Sequence, residues 1–217
     1  MKEIVLPASS NISPAVTPQT PVDLMGLPKD FQAAVVSVLR LLQSRLGFAT
    51  WQLLRVDGPQ CVVIHAEDKR KRTTSGTTFD WEDLVCCRLM NGQGPAIAPR
   101  MLDVAAYADA PIARREDIKA YIGVPIKRRD GSLFGMIVAI DPEEQPQERV
   151  HDLPLVELLA SLLGTILEHE VAATENARIA ERERATSMRD LLTDTFNRRG
   201  WETLAAAEEA RCNRYGH

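Results

Sequence analysis

The sequence predicts an α+β fold in which helices pack on one side of an antiparallel sheet and a long coiled-coil helix follows. Two pairs of short β-prone runs, each joined by a glycine-containing turn, indicate two hairpins. Apolar residues at helical spacing precede the first hairpin, and a long stretch without internal proline follows the second. The segment between the hairpins, 79–120, is broken by glycine and proline and is expected to be irregular with short helices.

Composition limits the function. The chain has 217 residues, 45% of them apolar, which is enough for one core of ordinary size. Its 26 basic and 30 acidic residues create no general positive field, so nucleic acid is not an expected partner. With four cysteines, no leader-like N-terminal segment and no apolar stretch that suggests a membrane segment, the expected location is a reducing cytoplasm with free thiols. Cys86 and Cys87 are adjacent and point to different sides, so neither a disulfide between them nor a zinc site is expected.

The N-terminal elements are an arm and a helix. Residues 1–21 contain four prolines and are predicted to be disordered or extended. A helix follows Pro28 and ends at Gly47, which supplies the left-handed conformation of a helix cap. Its apolar stripe consists of Phe31, Val35, Val38, Leu42 and Leu46. Leu39 and Leu41 widen this stripe, so the helix faces either the core alone or the core and a second subunit.

The two hairpins are predicted at 51–66 and 121–140. The strands of the first, 51–56 and 61–66, are separated by Asp57-Gly58-Pro59, and those of the second, 121–127 and 132–140, by a turn at 129–132. Pro125 cannot donate a hydrogen bond to a neighbouring strand, which places it at an edge or a bulge. The basic run 69–72 is expected to be a solvated loop, and 81–90 to form one short helix.

The last predicted element is a long helix from Asp152, a plausible cap, to about Leu192. Its first half is strongly apolar and is expected to pack on the sheet and on a partner subunit. In its second half one seam with alternating steps of four and three consists of Leu167, Val171, Thr174, Arg178, Glu181, Ala185, Met188 and Leu192. A competing seam consists of Ala172, Asn176, Ile179, Glu183 and Thr186. Neither seam is strongly apolar, which indicates a marginal coiled coil with more than one register; a single charged helix is the alternative.

The second hairpin has a distinctive wording, Tyr121-Ile122-Gly123-Val124-Pro125-Ile126 and then Asp130-Gly131-Ser132-Leu133-Phe134-Gly135-Met136-Ile137-Val138-Ala139-Ile140-Asp141. These residues resemble the last two strands of a GAF domain. In such strands Gly135 is expected to let another backbone or a helix approach closely, with Gly123 doing the same opposite it. The resemblance implies a GAF sensory domain over 22–167.

The GAF resemblance also implies a small-molecule pocket between the sheet and the segment 79–120. Carried over by position, the ligand-binding candidates are Trp81, Cys86, Met101, Asp103, Tyr107 and Tyr121. Several of these residues have a structural interpretation as well: Trp81 and Tyr121 as core or rim aromatics, and Asp103 as the N-cap of a helix over 104–108.

Specific GAF activities find little support in the residues. The Asn-Lys-x-x-x-Phe-x-x-x-Asp-Glu pattern of cyclic-nucleotide-binding members is absent from the sequence, and no histidine adjoins Cys86 or Cys87, as bilin attachment commonly requires. His65 is the only histidine inside the predicted sheet, and a hydrogen-bonded structural residue is the simpler interpretation than a haem ligand. Cys61, Cys86 and Cys87 only loosely imitate the cysteine trio of methionine-sulfoxide-reducing members.

The C-terminal part has a second distinctive pattern, which consists of Asp190, Leu192, Thr193, Asn197, Arg198 and Arg199, followed by Trp201. It resembles the opening of a GGDEF diguanylate cyclase domain and departs from it at Asp194 and Thr195, where Gly and Leu are usual. The resemblance implies a signalling linker helix over 168–192 and a truncated start of the cyclase domain over 193–217. No two glycines are adjacent in the sequence, so the catalytic Gly-Gly loop, with the GTP and magnesium it positions, would belong to a missing domain.

Together these features predict a cytoplasmic, homodimeric regulatory module of a bacterial diguanylate cyclase, which binds an unknown small molecule and is not itself an enzyme. The cofactor is unknown, and the fragment requires none. Two alternatives stay open: a ligand-free dimerisation scaffold with a filled pocket, and a thiol-based redox enzyme.

Overall fold

A computed structural model describes residues 27–187 and 195–216, without the side chains of 184–187, 199, 203 and 215. The predicted arm, 1–21, lies outside this part of the chain, as do Met188, Asp190, Leu192 and Thr193. The chain divides into two compact units between Gly164 and Thr165.

Helices and strands of the described residues follow the predicted order. The helices are α1 (Lys29–Leu46), α2 (Val85–Met90), α3 (Ala105–Ala108), α4 (Pro111–Arg115), α5 (Leu153–Ser187) and α6 (Arg198–Tyr215), and the strands are β1 (Thr50–Asp57), β2 (Gln60–Asp68), β3 (Thr78–Asp80), β4 (Ile97–Ala98), β5 (Ala120–Lys127) and β6 (Leu133–Asp141). The six strands form one antiparallel sheet in the order β3-β2-β1-β6-β5-β4. This confirms the α+β fold, and both predicted hairpins are present as β1–β2 and β5–β6. The short edge strands β3 and β4 were not predicted.

Helix α1 ends at the predicted cap. Gly47 has φ 78°, and its N–H donates to the carbonyl oxygen of Gln43. The buried residues of the helix are Phe31, Val35, Leu39, Leu42 and Leu46. Leu39 therefore belongs to the core, whereas Leu41 is 44% exposed. The wider apolar surface of this helix is thus divided between the domain core and the outer surface.

Close approach of two backbones explains Gly135. A Cβ at this position would lie 2.1 Å from the carbonyl oxygen of Leu54 on the neighbouring strand β1. Gly123 has another role: its Cβ would lie 2.0 Å from the hydroxyl of Tyr121. The expectation that Gly123 lies opposite Gly135 is wrong, because the strand register pairs Gly123 with Val138 and Gly135 with Ile126.

Asp141 fixes the end of strand β6 beside the start of strand β1. Its Oδ2 accepts a hydrogen bond from the N–H of Ala49 at 2.8 Å, and its Oδ1 accepts one from the N–H of Glu143 at 2.9 Å. Asp141 is only 7% exposed, so both hydrogen bonds are shielded from water. Asp141 thus connects the start of β1 to the chain that leaves β6.

Helix α5 begins differently from the prediction. Asp152 closes a 3₁₀-helix, 147–152, and its carboxylate accepts a hydrogen bond from Arg149 at 3.2 Å. The helix is therefore entered from a helical turn rather than from an extended capping residue. Val156, Ala160 and Leu163 are buried, and Gly164 lies against the backbone of β5, where a Cβ would be 3.1 Å from the Lys127 carbonyl oxygen.

One helical stretch in the described part of the chain, 147–183, is long and apolar enough to cross a membrane by length and composition alone. The sequence interpretation found no such stretch. Of the most apolar 18 residues in this stretch, 33% are buried in the protein. Core helices of soluble domains meet the same criterion, so length and composition by themselves do not assign a membrane span.

Candidate functional site

A cavity of about 720 Å³ lies between one face of the sheet and the segments that connect its strands. Strands β1, β5 and β6 form its floor through Gln52, Leu54, Tyr121, Val138 and Ile140. The remaining lining residues are Arg72, Thr73, Thr77, Thr78, Phe79, Asp80, Asp83, Leu84, Val85, Cys86, Ile112, Arg115, Glu116 and Ile118. A volume of this size suits a small organic molecule.

The wall beside Cys86 is not the single helix predicted over 81–90. Residues 81–83 form a 3₁₀ turn, Leu84 is extended with φ −83° and ψ 148°, and α2 begins only at Val85. The extended residue separates the two helical pieces and buries Leu84, Val85 and Cys86 together. All three side chains line the cavity.

Two of the six predicted ligand-binding residues line this cavity, namely Cys86 and Tyr121. Met101 and Tyr107 are fully buried in the adjoining core, where the Tyr107 hydroxyl donates to the carbonyl oxygen of Pro95 at 2.8 Å. Trp81 packs against the same core from a half-buried position. Trp81, Met101 and Tyr107 are therefore structural residues beside the cavity.

Asp103 lies outside this cavity and does not cap a helix. Its side chain is 70% exposed, 3.7 Å from Arg100, and does not line the cavity. It ends a 3₁₀ turn, 101–103, and Val104 is the residue that precedes α3, without a side-chain cap. The prediction that Asp103 caps this helix is wrong because the chain remains helical at Asp103 and becomes extended one residue later.

Tyr121 and Cys86 form a hydrogen-bonded pair at the cavity floor. The Tyr121 hydroxyl donates to Cys86 Sγ at 3.4 Å, and the ring meets Tyr107 edge-on with centroids 5.5 Å apart. Burial raises the pKa of Cys86 to about 11, against a smaller lowering by the Tyr121 hydrogen bond. Burial also raises the pKa of Tyr121 well above its usual value. At neutral pH both groups are uncharged.

The other cysteines form no disulfide. Cys61 is fully buried, and burial, followed by the neighbouring thiols of Cys86 and Cys87, raises its pKa to about 12. Cys61, Cys86, Cys87 and Cys212 are all free. Within the described residues no group of three or more histidine, cysteine or acidic side chains is placed to hold a metal ion.

Gln52 is the polar residue of the floor that the sequence interpretation missed. It is 6% exposed, and its Oε1 has no hydrogen-bond partner. A detectable signal was present, because Gln52 interrupts an apolar run and shares a strand face with Leu54, two residues on. A polar side chain inside such a run deserves consideration as a binding residue.

Charged residues surround the entrance. Arg115 and Asp83 approach within 3.5 Å, and Arg72, Asp80 and Glu116 also line the cavity. The basic run 69–72 is therefore not merely a solvated loop, since its last residue reaches this edge.

Asp68 organises that basic loop. Its carboxylate accepts hydrogen bonds from the backbone N–H groups of Arg70, Arg72 and Thr73 and from the Thr50 hydroxyl. Burial alone would raise its pKa, but these hydrogen bonds outweigh burial and hold the pKa below its usual value. The loop is thus fixed from the end of β2.

His65 lies outside the cavity. Its Nε2 is 3.1 Å from Glu67 Oε1, and its side chain is 29% exposed. It does not line the cavity, and its polar contact is on the strand surface. This agrees with the structural interpretation of His65.

The predicted seam is only partly within the described residues. Leu167 is buried, whereas Val171, Thr174, Arg178 and Glu181 are exposed along α5. The side chain of Ala185, together with Met188 and Leu192, lies outside the described part. In the competing seam, Ala172, Asn176, Ile179 and Glu183 are likewise exposed.

The predicted cyclase opening is also partly described. Asn197 is the N-cap of α6, and its Oδ1 accepts a hydrogen bond from the N–H of Gly200 at 3.0 Å. Arg198 lies 3.0 Å from Glu202 on the surface of the same helix. The side chain of Arg199 is outside the described set.

An antiparallel sheet that carries a cavity of this size under its connecting segments is the architecture of a domain able to hold a small ligand. The chain belongs to the GAF domain family, since the family profile matches residues 29–167, more than half of its length. Members of this family are small-ligand sensory modules of signalling proteins. No curated protein matches the chain significantly.

Solved structures show the same fold. The blue-light-absorbing form of the PixJ GAF domain from Thermosynechococcus elongatus is similar with a TM-score of 0.59 and 15% identity, over 74% of this chain and 96% of that one. The bacteriophytochrome RpBphP3 from R. palustris is similar with a TM-score of 0.56 and 17% identity, over 75% of this chain and 38% of that one. The GAF domain of an Acinetobacter phosphoenolpyruvate-protein phosphotransferase is similar with a TM-score of 0.53 and 10% identity, over 70% of this chain and 90% of that one. At identities this low, the structural similarity shows the shared fold alone and does not indicate a ligand for this chain.

Proposed function

We propose that this chain is the regulatory module of a cytoplasmic, homodimeric diguanylate cyclase, and that occupancy of the cavity by a small molecule controls cyclic di-GMP synthesis by that enzyme. The observation that carries the proposal is the cavity of about 720 Å³, whose floor is made by the same sheet that supports α5. A sensory domain needs both a place for a ligand and an element through which binding is felt elsewhere.

Helix α5 is the proposed output element. It runs from Leu153 to Ser187, 35 residues, and roughly 1.5 Å per residue makes it about 50 Å long. Its buried first turns contact the domain, whereas the described side chains of both seams beyond Leu167 are exposed on the helix that continues. A ligand that binds one arrangement of two such helices more tightly shifts the pair toward that arrangement.

Asn197 supports the cyclase assignment. The resemblance places it at the Asn-Arg-Arg of the GGDEF opening, and in the structure it caps α6 through Gly200. The motif therefore has a physical role at this position, where a helix must begin. No adjacent glycines occur in the 217 residues, so we assign synthesis, with its GTP and magnesium, to a further domain and no enzymatic activity to this segment.

The homodimer is proposed from exposed leucines on α5. Leu155, Leu158 and Leu162 are 37%, 58% and 49% exposed, and their spacing of three and four places them on one helix face. Apolar side chains grouped in this way favour contact with another protein surface. A second copy of the same helix presents the matching surface about a two-fold axis.

Two alternatives have less support. A thiol-based redox enzyme requires a reactive thiolate, whereas burial raises the pKa of both Cys61 and Cys86 far above neutral. A scaffold with a filled pocket requires the side chains to close the space that the cavity occupies.

The dimer is tested with Leu158→Glu and the matched control Leu102→Glu, because Leu102 is similarly exposed at 50% but lies away from α5. Sedimentation equilibrium and native mass spectrometry should show dimers for the wild type and for Leu102→Glu, and monomers for Leu158→Glu. Unchanged thermal unfolding would show that the Leu158 variant is folded. Monomeric wild-type protein at micromolar concentration would refute the dimer.

The switch is tested by disulfide cross-linking in a Cys212→Ser background. Thr174→Cys reports one seam and Asn176→Cys the other. Each is combined with Val138→Trp, which places a large ring in the cavity, and with Val150→Trp, a control at an exposed position. We expect Val138→Trp to change the ratio of the two cross-linking yields and Val150→Trp to leave it unchanged. Equal ratios in all backgrounds would refute coupling between cavity and helix.

A further inference from the structure

We propose that the ligand of this cavity is an uncharged, mostly apolar molecule, about the size of two fused rings, that donates one hydrogen bond to Gln52. The proposal rests on the sensory function proposed above and adds the chemistry of the molecule that is sensed. It is carried by the lining of the cavity and by the one unsatisfied polar side chain within it.

The buried part of the lining is almost entirely apolar. Its side chains below one tenth exposure are Gln52, Leu54, Leu84, Val85, Cys86, Ile112, Ile118, Tyr121, Val138 and Ile140. None of these ten side chains carries a charge at neutral pH, because burial keeps Cys86 and Tyr121 protonated. A charged ligand group placed among them would lose its hydration without gaining a partner. The buried portion of the ligand is therefore neutral.

Three of these residues have side-chain polar atoms, and two of them satisfy each other. Tyr121 donates to Cys86, so both are already engaged. Gln52 Oε1 is buried without a partner, although its side chain lines the cavity. An unpaired buried acceptor is costly, and rotation of the amide that turns this oxygen toward the cavity, where a ligand N–H or O–H donates to it, removes that cost. A ligand without a donor leaves the cost in place.

The position of Gln52 in the sheet anchors its side chain at one place in the cavity floor. Strand β1 is paired on both sides, with Gln52 opposite Ala66 of β2 and Val138 of β6. Its backbone is therefore held at the centre of the sheet rather than on a mobile loop. Donor recognition at such a point discriminates between ligands of the same shape.

The entrance has a different character from the interior. Among the described residues, Arg72, Asp80 and Glu116 line the cavity and have no ion-pair partner, so both signs of charge are available there. A polar but uncharged substituent of the ligand belongs at this edge, where water remains accessible. The volume of about 720 Å³ accommodates a body of roughly two fused rings with room for such a substituent.

Three probes of equal ring size test this chemistry on the full chain. 2-Naphthol is neutral and has a donor, 2-methoxynaphthalene lacks the donor, and 2-naphthoate carries a negative charge. We expect 2-naphthol to bind roughly three- to tenfold more tightly than 2-methoxynaphthalene, as measured by fluorescence titration and calorimetry. Gln52→Leu should abolish this difference, and so should Gln52→Met if the leucine variant folds poorly. Equal affinities of the first two probes in the wild type, or tightest binding of 2-naphthoate, would overturn the proposal.

Val138→Trp separates this proposal from the sensory function. The variant should lose all cavity binding because the added ring occupies the floor. If no naphthalene binds the wild type, the ligand class proposed here is wrong. A bound mass that native mass spectrometry finds in purified wild type but not in Val138→Trp would then leave the sensory function standing. With no such mass and unchanged cross-linking ratios, the sensory function would fail as well.

Discussion

Replacement of Gly135 by alanine tests whether the close approach of β1 and β6 holds this sheet together. The added Cβ would lie 2.1 Å from the Leu54 carbonyl oxygen, whereas such contacts essentially never fall below 3.0 Å. The obstacle is backbone in a central strand, so the two strands must separate by about 1 Å, the minimum needed to relieve a contact of this kind. A displacement of that size breaks the strand hydrogen bonds nearest the site.

The expected cost of Gly135→Ala follows from these terms. Overpacking of a core contributes about 1–3 kcal/mol and each lost backbone hydrogen bond about 0.5–1.5 kcal/mol. With two bonds lost, the free energy of unfolding should fall by about 2–6 kcal/mol, a large fraction of the stability of an ordinary domain. Gly131→Ala is the matched control in the same hairpin, because it has φ 83° and nothing within 4 Å of the added Cβ. Its expected cost is only the backbone strain of about 1–2 kcal/mol.

Urea unfolding followed by circular dichroism measures both variants. Gly135→Ala should unfold at a clearly lower urea concentration than Gly131→Ala with a similar dependence on denaturant. The opposite order, or equal midpoints, would show that the strands accommodate the methyl group and would refute this account of Gly135.

Three further predictions concern buried polar groups. Asp141→Ala should lower the free energy of unfolding by about 2–4 kcal/mol, because two backbone N–H groups lose their acceptor, and Asp141→Asn should recover part of it in the same urea assay. The hydrogen bonds that lower the pKa of the Asp68 carboxyl stabilise the folded state. This stabilisation is complete above the pKa of the unfolded state, near 3.8, and is lost as the pH falls through the folded pKa. Asp68→Asn should therefore reduce the drop in melting temperature on acidification, and a drop identical to that of the wild type would contradict the assignment. Thiol titration of the native protein at mildly alkaline pH should label Cys212 much faster than Cys61 or Cys86, whose pKa values are raised by burial; equal rates would show that these two thiols are accessible.

The sequence was most informative where structure depends on near neighbours in the chain. The hairpins were predicted because alternation and turn residues act within a few positions, and Gly47 ends α1 for an equally local reason. Strands β3 and β4 were missed because three and two residues form a strand only when a partner strand is already in place. Pro125 was placed correctly, since β4 pairs with β5 only at Tyr121 and Ile122 and leaves the proline side open.

The candidate site was harder to predict. Cys86 and Tyr121 were identified by position in the GAF pattern, yet Met101 and Tyr107 occupy the adjoining core instead. Which aromatic or sulfur side chain faces a cavity depends on the packing of distant segments, and a single sequence does not encode that in any local pattern. Gln52 is the exception, because a lone amide in an apolar strand is visible in the sequence itself.

The shortness of the outer strands has a consequence for proteins that concentrate such domains. β3 has three residues and β4 has two, so each border of the sheet offers few free backbone groups to a passing chain. Beyond β3, the backbone of Val63 is bonded to Thr77 and Gly76 of the connecting loop. The domain is thereby protected from edge-to-edge stacking into fibrils, even where two or more copies are held side by side.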